Sequence, residues 1–553
     1  MTSTDALAIK ANAVPSRLRG PAVWPLHPLL FAAAPVLALY ASNLRETTFA
    51  GVATTLAAML VAATVLLILF ALLARNFGAR AAILATILLV AMVYHHDLYA
   101  RADRWLLGAL PNGFATPVVL AVAGLLMLVT ARTRVDLTVP NAILNGIAFV
   151  LCLTPAWKAV SYEWDVHALA RVANPSTSPT SSSFGQPLAA PLSAVRPDIY
   201  YLVFDRYGSE HTLKRVYGFD NQPFLDKLRA TGFYVASGSH SNYPKTAPSL
   251  ASTLHMDYLD FLRDEPLAKR NEWHPIYNML GEHEVGSFLK SKGYRFIQIG
   301  GWWAPMQSNP AADENYDFGF SEFGWLFLRR TMLPRIVETV APASGLAQRM
   351  AWDNGQCQRV PQQVAMVKEV ADRPESTFTF VHILVPHEPY VFDASGRCMS
   401  PKEVRARGQA QGYVGQLRYV NRQIEEMVEH LLDRPDKPII ILQADEGPYP
   451  EPYRTSNRSW KKASPGQLAM KTGILNAYYF PDGDYAALYQ TVTPVNTFRI
   501  LFDKYFGTEF GLLPDRIFAF PDYSSIYEFF DVTDVTRKGD RDPTMRMSGK
   551  GIF

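Results

Sequence analysis

Arg196-Pro-Asp-Ile-Tyr-Tyr-Leu-Val-Phe-Asp205 opens with polar residues, runs through an unbroken apolar stretch and ends on a carboxylate. Lys437-Pro-Ile-Ile-Ile-Leu-Gln-Ala-Asp445-Glu446-Gly447 repeats the design. Between them lie a helix–strand pattern (285–292, then 294–299), an apolar run at 377–385 and a long amphipathic helix over 412–432. Strands that are apolar throughout and alternate with helices predict a mostly parallel sheet covered on both faces. Sites in such sheets gather at the C-terminal strand ends. Asp205, His387 and the pair Asp445-Glu446 all fall there, after three separate strands.

Thr246-Ala-Pro-Ser-Leu250 supplies a candidate nucleophile. Proline fits the first turn of a helix, where its missing N–H has no intrahelical partner. Thr246 would then stand at the positive end of a helix, where anions are favoured. Taken alone, the string reads as an ordinary helix cap. Its company with the carboxylates turns it toward chemistry.

The 553-residue chain has room for two or three cored units. Its mean hydropathy of zero hides a division, because the first third is strongly apolar. Five stretches there approach the length of a membrane span: 26–44, 51–74, 79–94, 116–130 and 142–157. Lys10, Arg17 and Arg19 precede the first, Arg75 and Arg80 follow the second, and Arg132 and Arg134 follow the fourth. This alternation puts the N-terminus inside and everything after Trp157 outside the cytoplasm. A net charge of +3, with no basic stripe or phosphate loop, argues against nucleic acid as a partner.

The expected organisation is a transmembrane domain (1–165), a Ser/Pro-rich linker (166–195), a catalytic α/β domain (196–530) and a charged C-terminal tail (531–553). Cys152 falls in the fifth span and reads as a packing residue. Cys357 and Cys398 lie in the outer domain, where oxidation is permitted, and are expected to pair, with two free thiols as the alternative.

With these motifs in order, the chain resembles the alkaline phosphatase/sulfatase superfamily. Its apolar anchor makes it most similar to lipoteichoic acid synthases and phosphoethanolamine transferases. The resemblance implies an α-helical membrane domain of about five transmembrane helices followed by an alkaline-phosphatase-like domain. It implies Thr246 as nucleophile, and Asp205, Thr246, Asp445 and Glu446 as ligands of one divalent metal. It also gives His387, in Pro386-His387-Glu388-Pro389-Tyr390, a substrate-contacting role. Two departures follow. Threonine cannot be oxidised to the aldehyde of a formylglycine, which disfavours sulfate-ester hydrolysis. Glu446 stands where histidine is usual, and an all-oxygen set suits Mg²⁺ or Mn²⁺ better than Zn²⁺.

The expected reaction is transfer of a phospho-head group, phosphoglycerol or phosphoethanolamine in type. It passes from a membrane phospholipid donor to an envelope glycan or lipid acceptor, through a phosphothreonine. The metal would lower the pKa of the Thr246 hydroxyl, and His387 would donate a proton to the leaving oxygen or bind phosphate. A phosphodiesterase or phosphatase of the same fold, or a non-catalytic envelope protein, are the alternatives. Arg206, Lys245 and Tyr390 are further candidates for substrate binding, with ion pairing or solvation as the simpler role for the two cations. Trp302 and Trp303 read either as a loop beside the site or as core. His382 reads as a buried core histidine. Arg454, Arg458, Lys461 and Lys462 read as a solvated loop that could attract anionic lipid.

Overall fold

The computed structural model describes residues 24–98, 115–172 and 196–541, apart from 343, 452 and 455. Most of the expected linker and the end of the tail lie outside the described residues. The chain divides into two compact units, Met1–Ala38 with Leu56–Ala156, and Leu39–Thr55 with Trp157–Phe553.

Helices stand at all five apolar stretches: α1 (His27–Ser42), α2 (Phe49–Ala74), α3 (Ala79–Val93), α4 (Ala115–Arg132) and α5 (Thr138–Val172). Two segments, Phe49–Ala74 and Thr138–Val166, are long and apolar enough to cross a membrane, and both are mostly exposed; the other three helices are shorter. The fifth helix runs well past the expected end at Trp157, because no glycine or proline interrupts the sequence before Pro175. Its extension belongs to the second unit, where the Tyr162 hydroxyl donates to Glu272 at 2.5 Å.

The second unit is built on a seven-stranded sheet: β1 (Ile199–Phe204), β2 (Tyr234–Val235), β3 (Arg295–Ile299), β4 (Glu314–Tyr316), β5 (Thr377–Ile383), β6 (Ile439–Gln443) and β7 (Asn476–Tyr479). Their order is β2-β7-β6-β1-β5-β3-β4. Strands β6, β1, β5, β3 and β4 run parallel; β7 is antiparallel to both of its neighbours. The apolar stretch that ends in Asp205 is therefore the central strand, buried at every position.

Alternate residues of β1 feed two cores, as the two-residue period of a strand requires. Ile199, Tyr201 and Val203 pack with α6 (Thr246–His255), α7 (Glu284–Ser291) and α11 (Thr497–Phe506). Tyr200, Leu202 and Phe204 pack with α8 (Gln356–Ala371) and α9 (Gln409–Leu432). Helix α10 (Pro465–Thr472) lies against the loop after β6, where a Cβ on Gly447 would stand 2.3 Å from the Met470 carbonyl oxygen. Only glycine lets the Asp445-Glu446 turn approach that helix so closely. The charged C-terminal stretch begins with α12 (Thr533–Gly539), which packs on α10, with the Gly539 backbone pressed on Pro465 and Asp540 2.9 Å from His240. Cys357 and Cys398 are joined by a disulfide, and Cys152 is free and buried.

Candidate active site

The candidate residues converge at the C-terminal ends of β1, β5 and β6. Asp205 follows β1, and its amide donates to the Ile383 carbonyl at 3.0 Å. Asp445 follows β6, and its Oδ1 accepts from the Arg206 amide at 3.2 Å. Arg206 takes a left-handed backbone (φ +62°), an unfavourable conformation for a residue with a Cβ. That turn swings its guanidinium back over the site. Thr246 opens α6, where Lys245 occupies the cap position without a side-chain capping bond, and its hydroxyl hydrogen-bonds Asp445.

Asp205, His382 and Asp445 bring one ligand atom each within 4.8 Å of one another, all three residues buried. His382 lies on β5, paired in register with Val203, and its Nε2 is 3.9 Å from Asp205. Both ring nitrogens of His382, Oδ1 of Asp205 and Oδ2 of Asp445 are buried without a hydrogen-bond partner. Burial and then the facing Asp445 push the Asp205 carboxyl well above its usual range; burial and Glu446 push Asp445 up to about 6. Orphaned ligand atoms around crowded carboxyls fit a divalent cation, which would satisfy both.

Glu446 is engaged differently from the other carboxylates. Its Oε1 accepts from Arg206 Nε at 3.0 Å and from Lys471 Nζ at 2.8 Å. Burial alone would raise its pKa, but Lys471 and Arg206 outweigh that and hold it below the usual range. Lys471 is fully buried on α10, with its ammonium 3.5 Å from the Tyr449 ring centroid and 3.1 Å from the Gly447 carbonyl. The cations meet Oε1 alone, and Oε2 of Glu446 is buried without a hydrogen-bond partner, like the free oxygens of the two aspartates. His382 joins the carboxylates expected as ligands.

His387 lines the same cavity as Asp205, Arg206, Lys245, Thr246 and Glu446, a space of about 420 Å³. Its Nδ1 meets the Glu388 carbonyl, and its own carbonyl accepts from Gln416 at 2.8 Å. Burial, then the Arg206 charge, push its pKa well below the ordinary imidazole value. A neutral ring whose Nδ1–H donates to a carbonyl keeps a lone pair on Nε2, which can accept a proton. Lys245 lies with its ammonium 4.7 Å from the Tyr523 ring centroid. Tyr390 packs edge-on against Tyr413, over Gly412 of α9. Trp302 and Trp303 line the cavity. Arg454 pairs with Glu451 and, at 3.4 Å, with Glu388.

Two residues of the site, His382 and Lys471, carry little local signal in the sequence. His382 is embedded in an apolar strand, and nothing local separates a bonded core histidine from an orphaned one. Lys471 sits in the last turn of a short helix, an ordinary place for a cation. The one signal pointing to it was Glu446, a carboxylate at a buried position that demands a counter-charge.

A catalytic-type site at the strand ends of a doubly covered sheet defines the class, and comparison with known families names it. Residues 199–499, more than half of the chain, match the Sulfatase family model. The chain belongs to the sulfatase family and is a sulfatase-fold enzyme. None of the curated proteins compared matches it. Among solved structures it is similar to the C-terminal periplasmic domain of EcEptC from Escherichia coli (14% identity, 65% of this chain and 96% of that one, TM-score 0.39). It is also similar to a phosphonate monoester hydrolase of Agrobacterium radiobacter (13%, 59% and 80%, TM-score 0.37). A third is the soluble domain of lipooligosaccharide phosphoethanolamine transferase A from Neisseria meningitidis (12%, 56% and 88%, TM-score 0.34).

Proposed function

We propose that this chain is a membrane-anchored, metal-dependent transferase with an extracytoplasmic catalytic domain. It moves a phospho-head group from a membrane phospholipid to an envelope glycan or lipid through a phosphothreonine at Thr246. The observation that carries this reading is the convergence of Thr246 with the orphaned Asp205–His382–Asp445 trio and with Arg206, Lys245 and His387. A threonine at the nucleophile position also removes the formylglycine route to sulfate esters.

Asp205, His382 and Asp445 would hold the metal, whose positive charge would stabilise the attacking and phosphoryl oxygens. An imidazole in the set admits Zn²⁺ beside the Mn²⁺ or Mg²⁺ expected from oxygen ligands alone. The remaining steps belong to the chain's own residues. Thr246 Oγ1 attacks the phosphorus while its proton passes to the Asp445 carboxylate. The phosphorus–oxygen bond to diacylglycerol breaks, and that oxygen leaves with a proton from solvent. Arg206 and Lys245 offset charge on the phosphoryl oxygens. His387 Nε2 then takes the proton of the acceptor hydroxyl, whose oxygen attacks the phosphodiester. The bond to Oγ1 breaks, Thr246 regains its proton from Asp445, and His387 returns its proton to solvent in place of the one that diacylglycerol took.

A phosphodiesterase would follow the same path with water in place of the acceptor hydroxyl. Product analysis with head-group-labelled phospholipid separates the two. Label carried to envelope glycan or lipid supports the transferase, and label released only as water-soluble phosphate ester supports the hydrolase.

A further inference from the structure

The cavity that holds Thr246 has a second wall with a different chemistry. Trp273, Tyr277, Trp302, Trp303 and Tyr523 line it, and so does Glu46, from the segment between α1 and α2 that belongs to the second unit. The rings are contiguous: Trp273 stacks on Tyr277 with centroids 5.8 Å apart, and Tyr277 meets the edge of Trp303 at 5.7 Å. Glu322 lies behind this wall at the start of its helix, bonded at 3.4 Å to the amide of Ala304 beside Trp303. Arg45 lines the cavity as well, with its side chain 64% exposed and its Nε 3.9 Å from Glu272.

Catalysis needs cations around the phosphoryl group, and Arg206 and Lys245 supply them. It does not need an aromatic wall flanked by carboxylates. Aromatic faces attract cations, and they do so without requiring N–H donors, so methylation of an ammonium is tolerated. Glycerol, neutral and rich in hydroxyls, would meet rings where it needs hydrogen-bond partners.

We propose that Glu46, Trp273, Tyr277 and Trp303 form a subsite for the cationic end of a zwitterionic phospho-head group. The donor's head group then carries an ammonium, primary or methylated, rather than the hydroxyls of glycerol. This rests on the reading of Thr246 as the nucleophile, and it places a specificity residue, Glu46, in the connection between two apolar helices.

The test uses the full chain, with Mn²⁺ or Zn²⁺ added, incubated with vesicles containing phosphatidylethanolamine, phosphatidylcholine or phosphatidylglycerol. The adduct on the Thr246 peptide is read by mass. The subsite predicts adducts from the first two lipids and about tenfold less from the third. Glu46→Gln and Trp303→Ala should each lower the ammonium-to-glycerol ratio several-fold, a ratio that loss of folded protein does not change. Equal or preferred labelling by phosphatidylglycerol overturns the subsite and leaves the nucleophile standing. Absence of any adduct on Thr246 overturns the nucleophile instead. The subsite is then judged by tryptophan fluorescence: phosphocholine binding more tightly than glycerol 3-phosphate supports it, and equal or weaker binding overturns it.

Discussion

At the scale of single residues, the account turns on how four buried charges are divided. Asp205 Oδ1, Asp445 Oδ2 and Glu446 Oε2 all lack partners, but only Glu446 meets two cations, through its Oε1. A cation that binds the folded chain should therefore stabilise it by mass action. Adding Mn²⁺ or Zn²⁺ to the metal-stripped protein is expected to raise its unfolding temperature by several degrees. In His382→Ala the rise should largely vanish. An unchanged rise would remove His382 from the ligand set. Lys471 makes the opposite test. Removing one partner of a buried pair typically costs about 3–5 kcal/mol, because the other charge stays behind. Lys471→Met should destabilise on that scale, and Glu446→Gln in the same chain should restore much of the loss, a coupling readable in a double-mutant cycle. No coupling would mean that the pair is not what holds Glu446.

At the scale of elements, strand ends and helix starts decide where chemistry sits. The short helix Glu322–Leu328 carries Glu322 in its first turn, where a carboxylate is normally favoured. Burial, opposed by a bond from Ala304 and reinforced by Glu46, nonetheless raises its pKa to about 7. A carboxyl raised on folding stabilises the protein at low pH, and that contribution is lost as pH rises through about 7. The full loss is no more than about 3 kcal/mol. Glu322→Gln should therefore gain thermal stability over wild type at pH 8.5 and show little gain at pH 5. A gain independent of pH would contradict this.

The same scale explains what could be read from sequence. The parallel sheet was legible because 199–204 and 439–442 are apolar without interruption and lead to the acids Asp205 and Asp445. Asp205, Thr246 and the Asp445-Glu446 pair were legible because each punctuates an element. His382 was not, because it enters the site through register: β5 lies beside β1, and no local pattern reports which strands are neighbours. Adjacency to His387 does not say toward which side Tyr390 turns, and α9 offers Gly412 as a seat for its ring.

At the scale of the whole molecule, the chain joins a sulfatase-family catalytic domain to a set of apolar helices, two of them long and apolar enough to cross a bilayer. A five-span anchor with the N-terminus inside puts residue 76 in the cytoplasm and residue 229 outside. In intact cells, an impermeant thiol reagent should then label Arg229→Cys and spare Asn76→Cys until the membrane is opened. The reverse pattern would put the catalytic domain on the wrong side for an envelope acceptor.

The central claim is that Thr246 carries the phospho-head group. It is tested most directly by the mass of the Thr246 peptide from protein purified out of its own membranes. A phosphodiester adduct on Thr246, absent from Thr246→Ala and displaced by acceptor, is the predicted result. A bare peptide after incubation with phospholipid and divalent metal, from a chain that still turns over substrate, would contradict it.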